Sequence, residues 1–169
     1  DELKYLLIRL NDWVPAVRIA ARQAVQARMR PEYARIFATN IDLIERLTHW
    51  ERVDHAQFIN WILEYLKSPE CQADVAALLQ SPDAITRRLI YRLLATPGSN
   101  QITTLLRQGL KDRDPAIRLW AIREARKQLT WRTLGEMLDV PVKDRSAAVR
   151  LQAAHAYAEH LDAGSAPLL

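Results

Sequence analysis

Among the side chains in this 169-residue chain that can do chemistry arginine is the commonest, and the basic residues are unevenly spread. From Arg87 to Arg132 there are eleven basic residues against three acids, Asp112, Asp114 and Glu124, a net of +8. The first eighty residues hold ten basic and eleven acidic residues, a net of −1. Such a concentration is an electrostatic footprint for an anionic partner, nucleic acid included. The plain alternative is a solvated helix surface, with cations gathered near helix C-termini. Trp131 beside Arg132 adds an aromatic that can anchor a partner side chain or stack on a base.

The groups usual in catalysis are present but badly spaced for it. His155 and His160 are five apart, which is not the i, i+4 spacing that puts two ligands on one helix face. His49 and His55 flank a helix start near Glu51 and Asp54 and read as surface or capping residues. There is no nucleophile-plus-base arrangement, no Gly-rich phosphate loop and no zinc spacing. No metal site, cofactor or catalytic set is therefore expected, and an enzyme is disfavoured. Trp13, Trp50, Trp61 and Trp120 stand at or near helical apolar positions and read as core. Cys71, the single cysteine, cannot form an internal disulfide and reads as a small buried hydrophobe near a helix start.

The elements that carry these residues follow a recurring unit. In Asp112-Arg-Asp-Pro-Ala-Ile-Arg-Leu-Trp-Ala-Ile-Arg-Glu-Ala125, Asp114 can cap a helix and Pro115 suits its first position. Ile117, Ala121 and Ala125 then share one helix face. Val149 repeats Ile117 at a step of 32, Ile85 precedes it by 32, Val53 precedes Ile85 by 32, and Val17 lies 36 earlier. Copies therefore start near 12, 50, 81, 112 and 144. A period of roughly 30–45 residues marks a stacked helical repeat. Arginine follows aspartate by six in three of the copies: Asp12 and Arg18, Asp112 and Arg118, Asp144 and Arg150. Copy three has Gln80 and Thr86 at these positions, and copy two has Asp54 where arginine belongs.

The runs Asp-Pro-Ala-Ile-Arg-Leu-Trp-Ala at 114–121, Pro-Ala-Val-Arg-Ile-Ala-Ala at 15–21 and Ala-Ala-Val-Arg-Leu-Gln-Ala-Ala at 147–154 resemble HEAT repeats, especially the short kind found in phycobilin-lyase-like proteins. The resemblance covers nearly the whole chain. It implies an all-α fold, a right-handed alpha-alpha superhelix of about five helix pairs forming one domain over 1–169. It also implies a structural role for Asp12, Arg18, Asp112, Arg118, Asp144 and Arg150 as a ladder of ion pairs and hydrogen bonds between neighbouring repeats, interrupted in the middle copies. In such solenoids the second helix of each pair lines the concave face. Arg107, Gln108, Lys111 and Arg132 are then expected to enter the groove together, with Trp131 beside them.

Composition agrees with a helical chain. Ala, Leu and Arg are abundant and glycine is scarce. No apolar run approaches the roughly 20 residues of a membrane span, no signal-peptide pattern opens the chain, and the cysteine usage fits the cytoplasm. Asp1–Leu10 reads as the second helix of a pair, and Gly164–Leu169 as the opening of another. The chain is thus expected to be a segment of a longer solenoid.

Two partner classes stay open. The first is a protein or peptide bound non-catalytically in the groove. The second is nucleic acid bound through the 87–132 region, by fold-level analogy with DNA glycosylases for alkylated bases that are built on HEAT-like repeats. A lyase-like or regulatory subunit is suggested only by the repeat subtype.

Overall fold

The computed structural model describes residues 2–50 and 52–165, the side chains of 160–165 excepted. All regular structure among these residues is helical. Eleven α-helices follow in order: α1 Glu2–Arg9, α2 Pro15–Ala27, α3 Ala34–Thr39, α4 Ile41–Leu47, α5 Ala56–Lys67, α6 Gln72–Ala77, α7 Ala84–Leu94, α8 Ile102–Gly109, α9 Pro115–Gln128, α10 Trp131–Leu138 and α11 Ala147–Ser165. None is long and apolar enough to cross a membrane among the described residues. The further helix expected to open at the C-terminus falls largely on 166–169, outside the described residues.

The chain divides into two compact units, Asp1–Leu94 and Ala95–Leu169. The division falls at the break that is strongest in the sequence, Thr96-Pro97-Gly98-Ser99. Gly98 takes φ +74 there, a left-handed conformation that glycine adopts without steric penalty. In the first unit α1 packs on α2, α3 on α6, and α4 on α7, with α5 against α4, α6 and α7. Leu3, Leu7, Phe37, Ile44, Leu47, Ile62, Leu66 and Ile90 are buried at its centre. In the second unit α8 packs on α9, and α9, α10 and α11 meet one another around Leu106, Ile117, Ala121, Leu134, Val149 and Ala153.

Local chemistry explains most boundaries. Pro15 and Pro115 occupy the first turns of their helices, and the Asp114 carboxylate accepts from the Ala116 N–H at 3.0 Å. Thr130 accepts from the Thr133 N–H and starts α10, which buries Leu134, Met137 and Leu138 as their spacing requires. A break at Thr39-Asn40 separates α3 from α4. Asp42 does not cap α4. It lies in the first turn and pairs with Arg46, while the buried Asn40 side chain turns back to donate to the Ile36 carbonyl.

Two expectations are corrected. Ile85 does not correspond to Ile117: it is 55% exposed, whereas Ile117 is fully buried. Val53 lies before α5 rather than in it, because that helix begins at Ala56. Copies two and three therefore do not keep a step of 32. The four tryptophans expected in the core are not core residues either: Trp13 and Trp61 are exposed, and Trp50 and Trp120 are half-buried. Each has large area but also a polar N–H that favours a place near water. Cys71, by contrast, is fully buried.

Candidate functional site

The Asp-to-Arg spacing of six has a backbone origin. Before α2 the Asp12 carboxylate accepts from the Val14 N–H at 3.0 Å, and Arg18 Nη1 donates to the carbonyls of Asp12 and Trp13 at 2.8 and 3.1 Å. Before α9 the Asp112 carboxylate accepts from the Asp114 N–H at 2.8 Å, and Arg118 donates to the Asp112 carbonyl at 2.7 Å. Before α11 Asp144 accepts from the Ser146 N–H at 2.7 Å, and Arg150 donates to the carbonyls of Asp144 and Arg145. The short side chain closes the turn, and the arginine one turn into the helix satisfies loop carbonyls that have no helical partner.

Copy three makes the same turn one residue out of the expected register. Ser81 Oγ accepts from the Asp83 N–H at 3.2 Å, and Arg87 Nη1 donates to the carbonyls of Ser81 and Pro82 at 2.8 and 3.1 Å. Arg87 is 3% exposed and Arg118 only 4%, so both belong to the interior. Copy two keeps the turn alone: Asp54 accepts from the Ala56 N–H at 2.8 Å, and six residues on stands the exposed Asn60. Between copies, Arg118 grips Asp144 with two hydrogen bonds of 2.7 and 2.8 Å. That grip holds the Asp144 carboxyl below the usual carboxylate range.

The residues expected to share a groove are only partly brought together. In the second unit Arg107 of α8 and Arg132 of α10 both approach Glu136, at 3.7 and 4.0 Å. Lys111 is exposed, Gln108 half-buried, and Trp131 42% exposed. Elsewhere Arg126 pairs with Glu159 and Lys127 with Glu124. Residues 95–169 hold eleven basic and eight acidic residues, a net of only +3. Three of the basic residues of 87–132, Arg87, Arg88 and Arg92, belong to the first unit, and beyond Arg132 the second unit adds five acidic and three basic residues.

A denser cluster lies in the first unit, where an open cleft of about 530 Å³ separates the α1–α2 turn from the segment after α4. Ile8, Trp13 and Trp50 give it apolar walls, and Arg9, His49 and Arg52 give it cationic and polar edges. Trp13 is 76% exposed, and the Arg52 guanidinium lies over its ring, 3.9 Å from the centroid. Arg52 Nη1 also donates to the Asn11 carbonyl at 3.2 Å. The Asp12 carboxylate is already engaged: the Val14 N–H first and Arg9 second hold it below its ordinary value. Sequence patterning missed this cluster. The signal available was that Trp13 follows Asp12 in a turn, outside any helical spacing.

His55 stands behind the cleft, 6% exposed, with Nε2 3.5 Å from Asn11 Oδ1. Burial, then Arg22, pushes its pKa down, while Asp54 opposes and Arg18 adds to the depression. It is held neutral as a structural group. Among the described residues no three His, Cys, Asp or Glu side chains are grouped to hold a metal, and the His160 half of the His155–His160 pair lies outside the described side chains. No protein-family model matches the chain, and no curated protein or solved structure matches it.

Proposed function

We propose that the chain is a non-catalytic scaffold of the HEAT-repeat kind, a right-handed superhelix of helix pairs that binds a protein or peptide partner. The observation that carries this reading is the turn made five times, with an arginine returning to the loop carbonyls in four of them. A unit repeated with its hydrogen bonds intact is how helical-repeat proteins make each pair lean on the next. An exposed Trp and Arg side by side supply the anchor types that dominate protein recognition.

Nucleic acid is the weaker reading. Arg87 and Arg118 are buried in turns, and Arg107, Arg126, Lys127 and Arg132 face carboxylates. Phosphate binding draws on free cations, and its strength falls steeply with salt. The test is to select peptides from a random displayed library against the full chain and, in parallel, to titrate labelled duplex DNA at several salt concentrations. Saturable peptide binding with weak salt dependence supports the scaffold. Tight DNA binding with a steep salt slope, and no peptide selected, overturns it.

A further inference from the structure

The cleft at the α1–α2 turn has an organisation that points to the chemistry of its occupant. The Arg52 guanidinium is held from two sides, by its stack on Trp13 and by the hydrogen bond to the Asn11 carbonyl. Its other N–H donors meet no partner among the described residues. A guanidinium fixed in this way is preorganised, and its planar fork matches a carboxylate. Among the described residues the one acid lining the cleft is Asp12, and its carboxylate, 14% exposed, is already taken up by the Arg9 guanidinium at 2.6 Å and the Val14 N–H. Beside the cation lies apolar surface from Ile8, 43% exposed, and Trp13.

We propose that this cleft binds a peptide segment in which an acidic residue stands next to a bulky apolar one. The carboxylate pairs with Arg52, and the apolar side chain lies against Trp13 and Ile8. This rests on the protein-binding reading given above and adds to it the site and the partner's chemistry. A polyanion suits the cleft poorly. Residues 1–94 carry thirteen basic and twelve acidic residues, a net of +1, and a phosphate chain needs a row of cations rather than one fixed guanidinium. A lone carboxylate beside an apolar group needs only the pair that is present.

The test uses the full chain and three displayed peptide libraries of otherwise random sequence. One carries a fixed Glu-apolar pair, one Gln-apolar and one Lys-apolar; a labelled single-stranded oligonucleotide is the fourth probe. Binders are then titrated against the wild-type chain and against Trp13→Ala, Arg52→Ala, Arg52→Lys, Arg107→Ala and Lys111→Ala. Both cleft side chains are exposed, so the variants should keep the wild-type circular dichroism. The expected result is enrichment from the Glu library alone, with binding weakened about tenfold or more by Trp13→Ala and by Arg52→Ala. Arg52→Lys should weaken it less than Arg52→Ala, because it keeps the charge and loses the stacked fork.

Equal enrichment from the Gln library overturns the proposal. So does peptide binding that resists both cleft variants; if Arg107→Ala or Lys111→Ala weakens it instead, the scaffold reading stands and only the cleft falls. Binding of the oligonucleotide alone, with a steep salt slope, removes both.

Discussion

Replacing Arg118 by alanine should destabilise residues 95–169 far more than the same change at Arg150, although both arginines follow an aspartate by six and both bond the carbonyl of that aspartate. The difference lies in the second partner. Arg118 is 5% exposed at its side chain and grips Asp144, 12% exposed, through Nε and Nη2. Its removal strands a carboxylate with little access to water and frees the Asp112 carbonyl. Breaking a buried pair by deleting one partner costs about 3–5 kcal/mol. The Ser146 N–H still donates to Asp144, which places the expected loss near the lower end, about 3 kcal/mol. Arg150 is exposed and makes only carbonyl bonds, so its removal should cost about 0.5–1 kcal/mol.

The assay is urea unfolding followed by circular dichroism, with amide exchange in α9 and α11 reporting the second unit by itself. A double-mutant cycle with Asp144→Asn should give a coupling of about 2 kcal/mol. The pH dependence supplies a second arm. Because Arg118 holds the folded-state pKa of Asp144 below its unfolded value, the stability from this pair is complete above the ordinary carboxylate range. It is lost as pH falls through the folded value. Arg118→Ala should flatten that acid limb. Equal midpoint shifts for Arg118→Ala and Arg150→Ala, with parallel acid limbs, would refute the reasoning.

Three further outcomes follow from the same geometry. Arg87→Ala should lower the urea midpoint of the first unit by the equivalent of about 2 kcal/mol, because a 3% exposed arginine leaves two loop carbonyls without their donor; no shift would remove copy three from the pattern. Asp83→Ala should cost about 1 kcal/mol through loss of the α7 cap to the Thr86 N–H, seen as faster amide exchange in the first turn of α7. His55 is held neutral by burial, so the unfolded chain takes up its proton first as pH falls below about 6.5. Stability should then decline until the folded-state value is passed, and His55→Gln should remove that slope. A nuclear magnetic resonance titration showing His55 protonating at or above the ordinary histidine value would contradict this.

Helix content and most boundaries were legible because they depend on residue types that act locally. Pro15, Asp114, Pro115 and Thr130 act within a few residues of themselves, and the buried faces of α9 and α10 follow the helical period. The register of copies two and three was not legible, since the repeat is anchored on the backbone rather than on an apolar side chain. The acceptor that closes the turn can be the Asp112 carboxylate or the Ser81 hydroxyl, and the arginine bonds carbonyls that every residue has. A search for aspartate six before arginine therefore finds Asp12, Asp112 and Asp144 and passes over Ser81 and Arg87.

The candidate site was hidden for a different reason. A tryptophan at an approximately helical position reads as core, yet Trp13 lies in a turn, where helical spacing says nothing about its direction. Its partner Arg52 is brought to it by the pairing of α1 with α4, a tertiary contact with no signature in either local stretch. The basic region failed in the opposite sense. Counting charge along a linear window ending at Arg132 omits Glu136, Asp144 and Glu159, the acids that the fold places against Arg107, Arg118, Arg126 and Arg132. Charge density along a chain measures potential only where the partners of each charge lie in the same window. Here they lie a helix or more away, and Arg52, stacked on Trp13 beside apolar surface, came from the stretch where the linear count was close to zero.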